Sequence, residues 1–285
     1  MVFELFMTRL EIGTTLGGRY RIERLLGEGG TGIVALAHDT ETNRDVAMKA
    51  IRDELASTPS IAARFTREAK TAMSLPSEHV VRVNAVEHIE GVGPCVVMEY
   101  LRGSVLSQVI AAKGPLAISE AVRSMLEALE ALETAHGLNL LHLDLRPANL
   151  FRVNEPDGSS SIKLLGGWTA AVPTQPTRPG MWGAPLYMAP ERLKPPHSVD
   201  AHTDIWGVGI VLYELLTGAI PFNGETMGEL FVQIMTKDPA SLRALRDDIP
   251  EKLDAIVMRC LQRDPRLRYG DAHELATALA GLPEA

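Results

Sequence analysis

Hydrophobic and polar positions alternate with a period of two residues through the first third of the chain, which is the pattern of half-buried β-strands. Five segments follow this pattern: Tyr20–Leu26, Gly32–His38, Arg44–Ile51, Val80–His88 and Pro94–Tyr100. A polar turn at 39–43 predicts that the second and third strands form a hairpin. One helix interrupts the series, and its apolar positions recur at helical spacing: Ile61, Phe65, Ala69, Ala72 and Met73.

Beyond Leu101 the spacing of apolar positions becomes that of α-helices. The predicted helices are Ser119–His136, Asp204–Leu216, Met227–Met235, Glu251–Leu261 and Ala272–Ala280. Two short apolar runs, Leu150–Val153 and Ile162–Leu165, flank a polar turn at 154–158 and predict a further hairpin. We therefore expect an α+β fold in which a small β-rich lobe precedes a larger helical one. We therefore divide the chain into an N-terminal flank (residues 1–18), an N-terminal lobe (19–101) and a C-terminal lobe (102–285).

Composition excludes several classes of partner. The 285 residues carry a formal net charge of −8 without a dense basic block, which argues against nucleic acid or an anionic membrane as the main partner. The longest apolar run, Ile205–Leu216, is interrupted by Glu214 and is shorter than the roughly 20 residues that cross a bilayer.

The cysteines and the N-terminus point to a cellular compartment. Cys95 and Cys260 lack metal-site or redox-motif spacing, and the first ten residues lack a signal-peptide pattern. We expect a cytoplasmic protein with two reduced cysteines.

A glycine-rich segment provides the first candidate chemistry. Gly27, Gly29 and Gly32, followed by Val34, spell G-x-G-x-x-G-x-V. Dinucleotide-binding proteins share the first part of this motif, but there a helix opens directly after the glycines. Here a strand follows, so the glycines are predicted to lie in a hairpin whose backbone closes over phosphate groups.

A lysine and a glutamate follow at positions that match a second motif. Lys49 ends Val-Ala-Met-Lys on the predicted third strand, and Glu68 shares a helix face with Phe65 and Ala72. A carboxylate on the buried side of a helix needs a cation, and we predict that Lys49 is that cation. Together with the glycine motif, these residues make the chain resemble the protein-kinase family, most closely the bacterial eukaryotic-like Ser/Thr kinases.

The resemblance extends from Tyr20 to Leu279 and implies a bilobal kinase fold. It also implies an adenine-contacting hinge at 98–101, with Met98 behind it and Ala47 in the purine pocket. The segment His142–Asn149 matches the kinase catalytic loop at His, Asp, Leu and Asn. By resemblance, Asp144 is the catalytic base, and Lys49 with Glu68 positions the phosphates. The implied ATP-binding residues are Leu26, Gly27, Gly29, Gly32, Val34, Ala47, Lys49, Met98, Glu99, Leu101 and Asn149.

Several positions depart from the family pattern. Leu143 replaces the arginine that pairs with a phosphorylated activation loop, and Arg146 replaces a lysine. Ala184 stands where relatives carry Thr or Ser. Most important, the strand before the kinase Asp-Phe-Gly motif runs instead into Gly166-Gly167-Trp168. The magnesium-binding aspartate is therefore Gly166, which leaves Asn149 alone as a metal-ligand position.

The resemblance implies an intact scaffold around these changes. Glu191 and Arg268 match the family's buried ion pair, and Asp204 matches the residue that anchors the catalytic-loop backbone. A plain helix N-cap is the alternative role for Asp204.

Two functions from different classes stay open at the level of sequence. The first is a pseudokinase that binds ATP with weak or absent Mg²⁺ and regulates or scaffolds a protein partner. The second is a slow or unconventional Ser/Thr protein kinase, supported by Lys49, Asp144 and Asn149. A small-molecule phosphotransferase is disfavoured, because the Ala-Pro-Glu segment at 189–191 and the Asp204 helix are typical of protein kinases. The oligomeric state does not follow from the sequence.

Overall fold

The computed structural model describes residues 10–29, 32–170, 185–194 and 199–283. The chain divides into two units. The first comprises the described residues up to Ser74 together with Val81–Arg102. The second comprises Leu75–Val80 and the described residues from Gly103 onward.

The first unit is built on an antiparallel sheet. Its strands are β1 (Thr15–Leu16), β2 (Tyr20–Glu28), β3 (Gly32–Asp39), β4 (Arg44–Ile51), β5 (Val83–Ile89) and β6 (Gly93–Glu99). They pair in the order β1-β2-β3-β4-β6-β5. Two helices, α1 (Asp53–Ala56) and α2 (Pro59–Met73), connect β4 to β5. Alternation along the strands places one face against a core that includes Tyr20, Ile22, Ala35, Ala37, Met48, Cys95 and Val97.

The predicted strands of this unit are all present. Arg44–Ile51 has the predicted bounds, whereas β5 begins at Val83 rather than at Val80. Val80 belongs to the second unit, where it is buried and forms an isolated bridge with Leu164 instead of extending β5. Helix α2 buries Phe65, Ala69 and Ala72, as the helical spacing predicts.

The second unit is mainly helical. Its helices are α3 (Leu106–Lys113), α4 (Ile118–Gly137), α5 (Ala201–Thr217), α6 (Met227–Thr236), α7 (Leu242–Leu245), α8 (Glu251–Cys260) and α9 (Ala272–Ala280). Its strands are β7 (Gly103–Val105), β8 (Leu140–Leu141), β9 (Leu150–Asn154), β10 (Ser160–Leu164) and β11 (Thr169–Ala170). The predicted hairpin is the antiparallel β9–β10 pair, β7 joins β9, and β11 pairs with β8.

Helix α5 lies at the centre of this unit, in contact with α4, α8 and α9. It is buried along nearly its whole length, which is expected of a helix that is apolar on every face. The helix begins at Ala201, three residues before the predicted start. Asp200 is its N-cap, and Asp200 and Thr203 form a reciprocal capping box. Asp204 is thus an interior helix residue and not the N-cap.

Two further findings bear on the chemistry open to the chain. Within the described ranges, no helix is both long enough and apolar enough to cross a bilayer. Cys95 and Cys260 are free and buried. Burial raises the pKa of each thiol to about 12, so both are protonated near neutral pH.

Candidate functional site

The glycine motif lies at the end of the β2–β3 hairpin, as the sequence predicts. The amide of Gly29 donates to the carbonyl of Gly32 at 2.8 Å and closes the turn. A Cβ on Gly32 would overlap the carbonyl oxygen of Ala50 on β4, so this position requires glycine. Gly30 and Thr31 lie outside the described residues.

The strand register places the predicted phosphate-binding residues in one row. Gly27 pairs with Val34, and Val34 pairs with Lys49. Two residues along β4, Ala47 pairs with Met98 on β6. Because residues i and i+2 of a strand share a face, Lys49 and Ala47 point to the same side of the sheet. The first unit therefore assembles these predicted ATP-binding positions on one surface.

Lys49 and Glu68 have partners that the sequence interpretation did not name. The Lys49 ammonium lies 5.6 Å from the centre of the Phe65 ring on α2, within cation–π range. The Glu68 carboxylate accepts a hydrogen bond at 2.5 Å from Nε of Arg64, one helical turn earlier. The Lys49–Glu68 ion pair stays a prediction.

Arg52 supports the glycine turn and was missed in the sequence. Its Nε donates to the carbonyl of Gly29 at 2.9 Å, and its guanidinium reaches Glu28 at 3.2 Å. No local pattern marks this residue, because the contact joins the end of β4 to a turn that lies more than 20 residues earlier.

The hinge segment follows β6. Glu99 donates its amide to the carbonyl of Arg82 and accepts the Arg82 amide on its side chain, at 2.9 and 2.8 Å. Met98, Glu99 and Leu101 are half-buried. Arg24 donates to the hydroxyl of Tyr100 at 2.7 Å, which ties β2 to the residue after β6.

Asp204, on helix α5, holds the backbone of the predicted catalytic loop. Its carboxylate accepts the amides of His142 and Leu143, both at 2.8 Å, and lies 2.9 Å from Nε2 of His136. Burial raises the pKa of Asp204, but hydrogen bonds from His136 and from the His142 amide outweigh this and leave the pKa below its usual value. Asp204 therefore stays ionised and buried, with its oxygens bonded to the loop.

Leu143 adopts a backbone conformation that this anchor stabilises. Its φ of +58° lies in the left-handed region, which is unfavourable for a branched side chain. The Leu143 amide is bonded to Asp204, and its carbonyl accepts a 2.7 Å hydrogen bond from Arg192. Both peptide groups around the strained residue are thus fixed by buried or half-buried charges.

The predicted catalytic residues form a connected group in the second unit. Asn149 donates Nδ2 to the carboxylate and to the carbonyl of Asp144, both at 2.8 Å. Nε of Arg146 lies 3.6 Å from the other Asp144 oxygen, close enough for an ion pair but not for a hydrogen bond. The Leu165 amide donates to the carbonyl of Asn149 at 2.8 Å and connects this loop to the segment before Gly166.

Gly166 and Gly167 differ in the space that each leaves for a side chain. Gly166 has φ +66°, and a Cβ there would meet no atom within 4 Å. Gly167 has φ +88°, and a Cβ there would lie 2.7 Å from both the ring and the carbonyl of His142. Trp168 is fully buried and meets the His142 ring edge-on, with ring centres 4.8 Å apart. A Cβ therefore has space at 166, where only the positive φ disfavours it, but overlaps His142 at 167.

The resemblance predicts two metal-ligand positions, Asn149 and Gly166, and neither carries a carboxylate. Asn149 offers one neutral oxygen, and Gly166 offers no side chain. Mg²⁺ prefers anionic oxygens, and residues 159–190 contain no Asp or Glu that a shifted register would bring to the site. These positions supply no carboxylate for a dication.

Glu191 and Arg268 lie together in the second unit. The Arg268 guanidinium is completely buried and donates to both Glu191 oxygens, at 2.8 and 2.9 Å. It also donates to the carbonyls of His202 and Gln262, at 2.8 and 2.7 Å. The ion pair is bidentate, and backbone carbonyls accept the remaining N–H groups of the guanidinium, as a buried ion pair requires.

The segment before Glu191 holds a polar contact that the sequence interpretation did not predict. The Tyr187 hydroxyl donates to Glu214 on α5 at 2.6 Å. Burial raises the pKa of Tyr187 and of Glu214, although the hydrogen bond from Tyr187 moderates the shift at Glu214. Ala184, one of the predicted departures from the family pattern, lies outside the described residues.

Comparison with known proteins gives one consistent result. The family model described as protein kinase domain matches residues 20–279. A probable serine/threonine-protein kinase of Streptomyces coelicolor is 35% identical over 91% of this chain and 39% of its own length. The serine/threonine-protein kinase PknB of Mycobacterium leprae is 33% identical over 93% of this chain and 43% of its own length. The chain thus spans about two fifths of the length of these curated relatives.

A solved structure agrees with the sequence comparisons. The kinase domain of PknI from Mycobacterium tuberculosis superposes with a TM-score of 0.76 at 26% identity, over 96% of this chain and 99% of that one. This likeness confirms the predicted bilobal fold, with a β-rich N-terminal unit and a helical C-terminal unit. The chain belongs to the protein kinase domain family.

Proposed function

We propose that this domain is an ATP-binding pseudokinase that regulates or scaffolds a protein partner in the cytoplasm. The observation that carries the proposal is Gly166, which stands where the family motif has its magnesium-binding aspartate. The glycine turn, Lys49 and the Asp144–Asn149 group support retained nucleotide binding.

The size of the expected defect follows from the role of the metal. Mg²⁺ neutralises the charge of the phosphates and orients the transferred group, a stabilisation of several kcal/mol in the transition state. A loss of about 3–5 kcal/mol slows phosphoryl transfer by roughly 10²–10⁴-fold. We expect binding to be less affected, because the glycine backbone and Lys49 would contact the phosphates without a metal.

A regulatory role follows if the nucleotide changes the shape that a partner meets. A ligand shifts a conformational equilibrium only through its different affinity for the two states. ATP would therefore act as a signal whose presence favours the partner-binding form. Recognition by a protein partner, rather than by nucleic acid, agrees with the net charge of −8.

Phosphotransfer from radiolabelled ATP, to the chain itself or to a basic protein substrate, tests the proposal. We expect at most a trace rate, roughly 10²–10⁴-fold below the 1–100 s⁻¹ of active kinases. Asp144→Asn is the control, because it removes the base while keeping the size of the side chain. A rate within the normal kinase range that Asp144→Asn abolishes would overturn the pseudokinase proposal.

A slow Ser/Thr protein kinase is the second candidate. The observation in its favour is the intact geometry around Asp144, whose carboxylate is held 2.8 Å from Asn149. A trace rate that depends on Asp144 would favour this candidate, whereas a trace rate that Asp144→Asn leaves unchanged would indicate a contaminating kinase.

A further inference from the structure

The segment after β10 is fixed to the catalytic loop by a tryptophan. The indole of Trp168 is fully buried and meets the imidazole of His142 at an interplanar angle of 81°, with ring centres 4.8 Å apart. This edge-to-face arrangement is the favoured geometry for two aromatic rings. The next residues, Thr169 and Ala170, pair with Leu141 and Leu140, so the backbone on both sides of the contact is also held.

The glycine before Trp168 is a structural requirement of this contact. A Cβ at Gly167 would overlap both the ring and the carbonyl of His142, and the φ of +88° excludes most other residues in any case. The family motif Asp-Phe-Gly has its aromatic residue at the position of Gly167. In this chain glycine occupies position 167, and the aromatic residue is Trp168, one position later.

The His142 ring in turn contacts the backbone of the predicted catalytic residue. Its Nδ1 accepts the amide of Asp144 at 3.3 Å, so Nδ1 is unprotonated. Burial lowers the pKa of His142 and keeps the ring neutral, as this hydrogen bond requires. A displacement of the ring would therefore remove a partner of the Asp144 amide.

We propose that Trp168 is a positioning residue, which fixes the His142 ring and through it the backbone of Asp144. Gly167 and Trp168 then preserve an aromatic contact with His142, although their sequence differs from the family motif. The catalytic loop stays assembled although the metal-ligand position beside it is a glycine. This inference concerns the loop alone and holds whether or not the domain binds ATP.

Hydrogen exchange of the unliganded chain, read on peptides that cover residues 140–149, tests the proposal. The variants are Trp168→Phe and Trp168→Leu, with Trp206→Phe and Trp206→Leu as matched controls. Trp206 is also fully buried in the second unit, and both indole nitrogens lack a hydrogen-bond partner among the described residues. Trp206 stacks on Phe222 and lies under the Arg268 guanidinium, 5.1 Å from the ring centre, so it shares the burial but not the contact with His142.

We expect Trp168→Leu to lower the protection of the Asp144 amide, which the His142 ring accepts, at least about tenfold beyond its effect on global stability. Trp168→Phe should lose less, because a smaller aromatic ring still meets His142. The Trp206 variants should change the protection of the Asp144 amide only through global stability. Equal losses in the two leucine variants would overturn the proposal. If Trp168→Leu does not fold, Trp168→Phe is compared with Trp206→Phe. Lower protection of the Asp144 amide in Trp168→Phe than in Trp206→Phe supports the proposal, and equal protection in the two variants overturns it.

Discussion

Arg268→Met is expected to destabilise the chain by about 3–5 kcal/mol, because it leaves the Glu191 carboxylate largely buried without its cation. The methionine fills a similar volume, so loss of packing contributes little. The carbonyls of His202 and Gln262 lose their donor at the same time, and unsatisfied buried acceptors add to the cost. Chemical denaturation of the purified variant measures the change in the free energy of unfolding.

Two controls separate the buried pair from a general effect of losing an arginine. Arg266→Met removes an arginine two residues away that is mostly exposed and paired with Asp264, and it should leave the denaturation midpoint nearly unchanged. The double variant Arg268→Met with Glu191→Gln removes the stranded charge and should recover part of the loss. A change below about 1 kcal/mol for Arg268→Met would contradict the assigned role of the pair.

Gly166→Asp is expected to create a magnesium dependence of ATP binding that we do not expect of the unmodified chain. The position is open, since a Cβ there meets no atom within 4 Å, and Asp tolerates the left-handed φ of +66° better than most residues. The strain should lower stability by about 1 kcal/mol. In return, a carboxylate next to Leu165, whose amide is bonded to Asn149, supplies the anionic oxygen that Mg²⁺ prefers. We expect ATP to bind at least about tenfold more tightly with Mg²⁺ than without it.

Gly166→Asn is the matched control for this variant. It has nearly the same shape and the same tolerance of the left-handed region, but it carries no charge. Calorimetric titration with ATP, in magnesium and in a chelator, distinguishes the two. If both variants respond equally to magnesium, the added charge is not the cause. Trp168 is retained in both, because restoring the family glycine at 168 would remove a fully buried side chain and its contact with His142.

The sequence predicted the strands and long helices of this fold because their burial pattern is periodic. Arg44–Ile51 and Ala272–Ala280 have their predicted bounds. The short elements were missed, since their existence depends on partners far along the chain. Gly103–Val105 is a strand only because it pairs with β9, and Leu106–Lys113 buries too few apolar residues to show a clear helical period.

Candidate site residues could be named where short motifs mark them, whereas contacts between distant residues could not be predicted. The glycine turn and the Asp144–Asn149 loop are readable because their residues are close in sequence. Arg192 reaches Leu143 across 49 positions, so no local pattern indicates it. Trp168 was interpreted only as a departure from the family glycine, because its burial against His142 depends on the three-dimensional arrangement.

The most direct test of the account is the magnesium dependence of ATP binding by the unmodified chain. Isothermal titration in the presence of Mg²⁺ and in a chelator gives two dissociation constants. With Gly166 at the predicted metal-ligand position, we expect measurable binding in both conditions and constants that agree within about threefold, less than about 0.7 kcal/mol apart. Binding at least about tenfold tighter with Mg²⁺ would show that the chain holds the ion without that aspartate, and would contradict the account.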